Sequence, residues 1–200
     1  MLSIVDWRVR VAALYAEVRA DSDPERGHAT WRGGRDALFR THPQSPLPPR
    51  DPLRETGLPY WPYDPAWRID ATVLPAPTDA VDPDERVVDG GDDGDVTMRR
   101  TGCVELPTGD TLDVWTLHQY AGGIFVPLRD GTSGDGSYGA GRYLLDTAKG
   151  AWLGGTDATL VLDLNFAYHP SCRYDDRWRC PLASPGNTVA PRVEAGERLP

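Results

Sequence analysis

The sequence predicts a mostly β domain, an antiparallel β-barrel or sandwich, preceded by one or two helices and a proline-rich arm. Glycine contributes 21 and proline 19 of the 200 residues, which favours many turns and short strands. Helical periodicity is confined to roughly the first 40 residues. After residue 66, six or seven short apolar runs follow one another without a helical pattern between them, as in sandwiches and barrels.

Length and composition indicate a single soluble domain. Hydrophobic residues make up 40% and charged residues 26% of the chain, which is ordinary for a globular protein. The net charge of −9 argues against nucleic acid as a partner, because an acidic surface repels phosphate. The sequence shows neither a membrane-spanning apolar run nor a signal peptide. We therefore expect a cytoplasmic protein; the sequence names no cofactor and no oligomeric state.

Two helices are predicted before the β region. Over residues 4–20, apolar side chains recur at i, i+3, i+4 and i+7, which is the spacing of one helix face. Ser22 is predicted to begin a second helix, because Glu25 lies three residues later, as a capping box requires. That helix extends to about Phe39, and the pair Gly33–Gly34 favours a break in its middle.

The segments after residue 40 are assigned from their proline content, their acidic residues and the alternation of apolar and polar side chains. Residues 41–66 contain too many prolines for a helix or a central strand, and their aromatic side chains indicate an arm that hugs the surface. Residues 67–74 alternate as a strand does. Residues 75–95 are acidic and rich in Pro and Gly, which predicts a long mobile loop. Further strands are predicted over residues 96–104, 112–118, 124–128, 142–146, 159–165 and about 188–193.

The glycine-rich stretch before residue 142 resembles two kinds of ligand site, a dinucleotide-binding loop and a calcium-binding loop. It contains Gly134-x-Gly136-x-x-Gly139, but a strand pattern follows, whereas a dinucleotide site needs a helix N-terminus there. Asp130 begins a run that resembles a calcium loop, yet Gly141 stands at the twelfth position, where a bidentate acid is required. The simplest interpretation is a hairpin loop whose glycines adopt positive φ.

Arg142 and Asp163 are predicted to lie on neighbouring strands. One interpretation is a structural ion pair that closes the end of a barrel. The other is a binding site in which Arg142 holds a substrate anion through its bidentate fork, while Asp163 or Asn165 orients that anion.

His169, Cys172 and Cys180 form an H-x2-C-x7-C pattern. Imidazole and thiolate suit zinc, but a structural site needs a fourth ligand, for which Asp175 or Asp176 is available. Three alternatives remain open. They are a Cys172–Cys180 disulfide, a nucleophilic Cys172 activated by His169, and two thiols that only pack.

Six motifs follow one another along the chain: WRGGRDALFRTHPQSPL (31–47), GLPYWPYDPAWRI (57–69), FVPLRDGTSGDGSYGAGRYL (125–144), LDLNFAYHPSCRY (162–174), CPLASPGN (180–187) and AGE (195–197). In this order they resemble the bacterial and archaeal DUF1684 family, over nearly all of residues 30–198. The resemblance implies a compact, mostly β domain without an assigned activity. The chain departs from the family pattern at His169, where Asn is usual, and at Leu164, where Phe is frequent.

We expect this protein to bind a small polar or anionic organic ligand in a pocket at the end of the barrel. If it catalyses a reaction, Asp163 or His169 is expected to perform acid–base work. The alternatives are a metal- or thiol-dependent module built on His169, Cys172 and Cys180, and a non-catalytic interaction domain. The residues predicted to bind the ligand are Tyr138, Arg142, Asn165 and Tyr168.

Overall fold

The computed structural model describes residues 2–91, 94–118 and 122–200. None of the helices within these ranges is both long enough and apolar enough to cross a bilayer. The described elements are α1 (Leu2–Ala20), α2 (Pro24–Thr41), α3 (Leu53–Thr56), β1 (Arg68–Thr72), β2 (Glu85–Val88), β3 (Val96–Glu105), β4 (Thr111–Leu117), β5 (Ile124–Leu128), β6 (Arg142–Asp146) and β7 (Thr159–Asp163).

The strands form two antiparallel sheets. Strands β2 to β6 make a five-stranded meander in sequence order, and β1 pairs with β7 in a separate two-stranded sheet. Val104 from β3, Val126 from β5 and Leu162 from β7 are all fully buried in one apolar cluster between the sheets. The prediction of a mostly β, antiparallel fold is confirmed. Neither sheet closes on itself within the described ranges, so the barrel form of that prediction is wrong.

Helices α1 and α2 build a second apolar layer. Trp31 and Phe39 of α2 are buried with Tyr15 of α1 and with Phe166, which follows β7. The predicted break in the second helix is wrong, because α2 continues through Gly33 and Gly34. A Cβ atom at Gly34 would lie 2.6 Å from Leu14 Cδ1, so glycine at this position lets the two helices approach closely.

The predicted start of α2 is also wrong by one residue. The N-cap is Asp23, and its Oδ1 accepts hydrogen bonds from the backbone N–H groups of Glu25 at 3.1 Å and Arg26 at 3.2 Å. Both Ser22 and Asp23 have side chains suited to an N-cap. With Pro24 at the first helical position, the residue immediately before it is the cap.

The proline-rich arm packs against the C-terminal segment. Leu58 and Tyr60 of the arm are buried. The backbone N–H of Trp61 donates to the carbonyl of Gly196 at 3.0 Å, and the N–H of Arg198 donates to the carbonyl of Pro59 at 2.9 Å. The arm is therefore part of the core packing as well as of the surface.

Two predicted boundaries change because of tertiary pairing. Glu85–Val88 forms β2 on the edge of the larger sheet, so the prediction of an uninterrupted loop over residues 75–95 is wrong; Asp92 and Asp93 lie outside the described residues. In place of the strand predicted near residues 188–193, the chain forms an irregular segment with one β-bridge, between Thr188 and Arg129.

Candidate functional site

The glycine-rich loop, residues 129–141, folds around the buried carboxylate of Asp130. This carboxylate accepts hydrogen bonds from the backbone N–H groups of Thr132 at 3.2 Å and Val193 at 2.8 Å. Gly141 has a φ of +95°, which favours glycine at the end of the turn. The carboxylate of Asp130 therefore holds the loop in one conformation and links the C-terminal segment to the larger sheet through hydrogen bonds.

Arg142 is the cationic partner of Asp130. Both side chains are fully buried, and Arg142 Nη2 lies 3.1 Å from Asp130 Oδ1. The predicted ion pair with Asp163 is wrong, because β6 belongs to the five-stranded sheet and β7 to the two-stranded sheet. Burial lowers the pKa of Arg142, and Asp130 opposes that change. Arg142 also donates hydrogen bonds to the backbone carbonyls of Val193, Ala195 and Glu197.

Asp163 and Asn165 form hydrogen bonds that hold the proline-rich arm against the segment at the end of β7. Asn165 Nδ2 donates to the carbonyl of Asp64 at 2.8 Å, and its Oδ1 accepts from the N–H of Asp64 at 2.9 Å. Asp163 Oδ2 accepts from the hydroxyl of Tyr63 at 3.2 Å. Burial raises the pKa of Asp163, against the hydrogen bonds from Asn165 and the charge of Arg68.

Glu197 is the centre of a buried polar cluster. Its Oε2 accepts from Arg35 Nη1 at 2.9 Å and from the backbone N–H of His169 at 3.0 Å, and its Oε1 accepts from the hydroxyl of Tyr174. His169 Nδ1 lies 3.3 Å from Glu197 Oε1. His169 Nε2 accepts from the backbone N–H of Tyr138 at 3.1 Å, so the ring proton is placed on Nδ1, facing the carboxylate.

Charge pairing outweighs burial in this cluster. Burial opposes ionisation of Glu197, but Arg35 and His169 more than offset it and lower the pKa of the carboxyl group. Burial also opposes the charge of Arg35, whereas Tyr60 and Glu197 raise its pKa well above the ordinary value. The Glu197 carboxylate and the Arg35 guanidinium are therefore both charged in the interior, where they form an ion pair.

Two neighbouring cavities lie beside this cluster, between the helices and the sheets, and are called here the inner and outer lobes of one candidate site. The inner lobe, of about 100 Å³, is lined by side chains that include Trp31, Arg35, Tyr168 and His169. The outer lobe, of about 370 Å³, is lined by residues that include Arg8, Lys149 and Arg179. The lobes share two residues, Tyr143 and Lys149.

The cysteines are free. Cys103 is buried, while Cys172 and Cys180 are partly exposed. Burial, together with the nearby Cys172 thiol, raises the pKa of Tyr138. Across the part of the chain that the structure describes, no group of three or more His, Cys, Asp or Glu side chains is arranged to hold a metal ion. The nitrogens of His169 are also occupied by Glu197 and Tyr138.

Comparison with known proteins identifies the family but no activity. A family model described as a protein of unknown function, DUF1684, matches residues 55–198. This chain belongs to the DUF1684 family. The matched region of this DUF1684 member contains both sheets, while α1 and α2, and with them Arg35, precede it.

A solved structure supports the same conclusion. The solution NMR structure of an uncharacterized protein from gene locus rrnAC0354 of Haloarcula marismortui is 33% identical to this DUF1684 chain, with a TM-score of 0.58. The similarity covers 84% of this chain and 90% of that one. No curated protein matches the chain.

Only some of the predicted site residues of this DUF1684 protein line the cavity. Tyr168 and His169 line the inner lobe. Four residues are not among those that line either lobe: Tyr138, Arg142, Asp163 and Asn165.

Three residues that line or support the cavity were missed by sequence reasoning. Arg35 and Glu197 fall within motifs that carried the family resemblance, but an isolated charged residue gives no indication of burial. Lys149 lies in a short turn after β6, where an exposed lysine is the ordinary expectation.

Proposed function

We propose that this protein binds a small organic anion in this two-lobed site. The observation that carries the proposal is the local reversal of charge. The chain has a net charge of −9, yet among the described residues that line the two lobes the cations outnumber the acids. The cations are Arg8, Arg35, Lys149 and Arg179, and the acid is Asp146. Such a cavity favours an anion over the rest of this surface.

Arg35 supplies the inner anchor in this proposal. Its side chain is 10% exposed, and both of its hydrogen bonds to the described chain, to Tyr60 and Glu197, come from Nη1. Nη2 therefore remains for a ligand oxygen. The hydroxyl of Tyr168 makes no hydrogen bond to the described residues, and the Tyr168 ring lies 5.0 Å from the Arg35 guanidinium. Together they offer two donors to one carboxylate.

The walls and the volume define the rest of the ligand. Trp7, Trp31 and Phe39 line the inner lobe, so its walls are largely aromatic. A volume of about 100 Å³ holds a small anionic group, and the outer lobe of about 370 Å³ lies in the size range of ordinary ligand pockets. We infer a small carboxylate, with an apolar or aromatic body, as the ligand class.

Acid–base catalysis by His169 or Asp163 remains a prediction. His169 lines the inner lobe, but its Nε2 takes the N–H of Tyr138, so the glycine-rich loop must release that hydrogen bond before Nε2 can accept a substrate proton. Asp163 accepts a hydrogen bond from Tyr63 of the arm and does not line either lobe. Ligand binding is accordingly the function we propose, together with the cytoplasmic location expected from the sequence.

The test is a calorimetric titration of the full chain with small aliphatic and aromatic carboxylates. We expect at least one to bind the wild type, and Lys149→Met and Tyr168→Phe each to weaken it about tenfold, the loss of one charge-assisted or buried hydrogen bond. Arg177→Met is the matched control, because Arg177 is exposed, pairs with Asp175 and is not among the residues that line either lobe.

The outcomes separate the proposed site from its alternatives. Equal affinity in wild type, Lys149→Met and Tyr168→Phe would place the anion elsewhere and refute this site. Absence of binding by every carboxylate tested, with a bare-chain mass by native mass spectrometry, would instead favour the interaction-domain alternative.

A further inference from the structure

Two guanidinium groups at the outer lobe have no protein partner. Within the described ranges, three arginine side chains make no hydrogen bond, ion pair or ring contact: Arg8, Arg50 and Arg179. All the other arginines contact an acid, a backbone carbonyl or an aromatic ring. Two of the three exceptions, Arg8 and Arg179, line the outer lobe. In a chain of net charge −9, unpaired cations that meet at one cavity do not result from an excess of basic residues.

The acid at this lobe does not neutralise them. Asp146 is the one acid among the described residues that line the outer lobe, and its Oδ2 lies 3.4 Å from Lys149 Nζ. Lys149 therefore matches the charge of Asp146, and the positive charges of Arg8 and Arg179 stay uncompensated. Each guanidinium presents a planar fork of N–H donors that fits the oxygens of a carboxylate or a phosphate.

Other walls of the outer lobe are apolar. Val96, Leu117 and Phe125 of the larger sheet line it, and Tyr143 lines both lobes. An inorganic anion would leave this apolar surface in contact with water, whereas the body of an organic ligand would cover it. The combination favours an organic ligand that carries a charged group over a free inorganic ion.

We propose that the ligand carries a second oxyanion group, of the carboxylate or phosphate type, which Arg8 and Arg179 bind in the outer lobe. This inference rests on the proposed function, in which a first carboxylate binds Arg35 in the inner lobe. The body of the ligand then passes Tyr143 and Lys149, the two residues that the lobes share. The ligand class is an organic acid with two anionic groups on an apolar body.

The test compares diacids with their neutralised counterparts by calorimetric titration of the full chain. The diacids are glutarate, adipate, suberate and terephthalate, and each is compared with its monoamide, which keeps the body but replaces one charge by a neutral amide. A phosphonate, para-phosphonobenzoate, is compared with the monoamide of terephthalate and distinguishes a phosphate-type group from a second carboxylate. We expect at least one doubly anionic compound to bind about tenfold or more tightly than its monoamide.

Substitution of the two arginines locates the second group. Arg8→Met and Arg179→Met should each weaken binding of that compound about tenfold and leave the affinity for the monoamide within about twofold. Arg50→Met is the matched control, because it removes the same charge from an exposed residue that lines neither lobe. It should leave both affinities unchanged. The melting temperature of each variant checks that the fold is intact.

The outcomes separate this inference from the proposed function. Monoamides that bind while no doubly anionic compound binds more tightly would overturn the inference and leave the proposed function standing. Equal losses in Arg8→Met, Arg179→Met and Arg50→Met would also overturn it, because the effect would then be one of net charge. Absence of binding by every compound would overturn both. Tyr168→Phe, in the inner lobe, should weaken each diacid and its monoamide alike.

Discussion

At the scale of single residues, Glu197 has three buried polar partners beside the inner lobe. Its two oxygens take donors from α2, from the segment after β7 and from the turn beyond it, through Arg35, His169 and Tyr174. These elements are far apart in sequence, so one carboxylate fixes their relative positions. It also neutralises Arg35 on one side, which leaves the other side of the guanidinium for the cavity.

We predict that Glu197→Gln destabilises the protein by about 3 kcal/mol, because it leaves the buried Arg35 charge without its counter-ion. Urea unfolding measures the change. Glu194→Gln is the control: Glu194 pairs with Arg192 at the surface, where its side chain is 57% exposed, and we expect a loss below about 0.5 kcal/mol. Similar losses in the two variants would mean that Glu197 contributes no more than a surface acid.

The same residue predicts a pH dependence. The pKa of Glu197 is lowered on folding, so its contribution is fully present above the unfolded value of about 4.3. That contribution is lost as the pH falls below this value toward the folded pKa. We expect the wild type to lose stability on this acid side more steeply than Glu197→Gln.

At the scale of elements, local chemistry fixes where each helix begins, and packing decides whether it continues. Asp23 starts α2 by binding two backbone N–H groups. The adjacent glycines Gly33 and Gly34 inside α2 weaken it locally, yet the close approach of Gly34 to Leu14 brings α1 and α2 together over the inner lobe. The same two helices contribute Trp7, Trp31 and Arg35 to the wall of that lobe.

We predict that Asp23→Ala costs about 1 kcal/mol, the usual value for removal of an N-cap acceptor. Ser22→Ala, one residue earlier, should leave the unfolding midpoint nearly unchanged, because Ser22 does not cap the helix. Chemical unfolding of both variants makes the comparison. A larger loss in Ser22→Ala would show that the capping box read from the sequence operates in solution.

At the scale of the whole molecule, the chain carries a net negative charge, while the side chains that line the two lobes include more cations than acids. The net charge of −9 destabilises the compact state through self-repulsion. The buried pairs Arg35–Glu197 and Arg142–Asp130 lie away from solvent, where salt screens them far less than exposed charges.

We predict that raising NaCl from about 10 mM to about 150 mM increases the melting temperature by a few degrees, because the Debye length falls from roughly 30 Å to about 8 Å. A variant with three exposed acids neutralised, Asp79→Asn, Glu105→Gln and Asp157→Asn, should show a smaller increase. Differential scanning calorimetry measures both chains. A melting temperature that falls with salt would mean that exposed ion pairs outweigh self-repulsion.

Strand and helix positions could be predicted because they depend on local patterns. Two predicted strands, Ile124–Leu128 and Arg142–Asp146, have the bounds that the structure gives them. The strand Glu85–Val88 could not be predicted, since its few alternating residues lie among acids and prolines and owe their conformation to pairing with β3. The partner of Arg142 could not be predicted either, because it depends on which sheet receives β6.

The sequence by itself determined the family resemblance, the mostly β antiparallel character and the order of the elements, because these follow from motifs and from hydrophobic alternation along the chain. Only the tertiary structure decided that Glu197 holds Arg35 and His169, and that Arg35 and Lys149 line one cavity. Such contacts join residues more than 100 positions apart, as Arg35 and Glu197 are, and no local pattern encodes them. Electrostatic energies depend on distance and burial in space, which folding alone establishes.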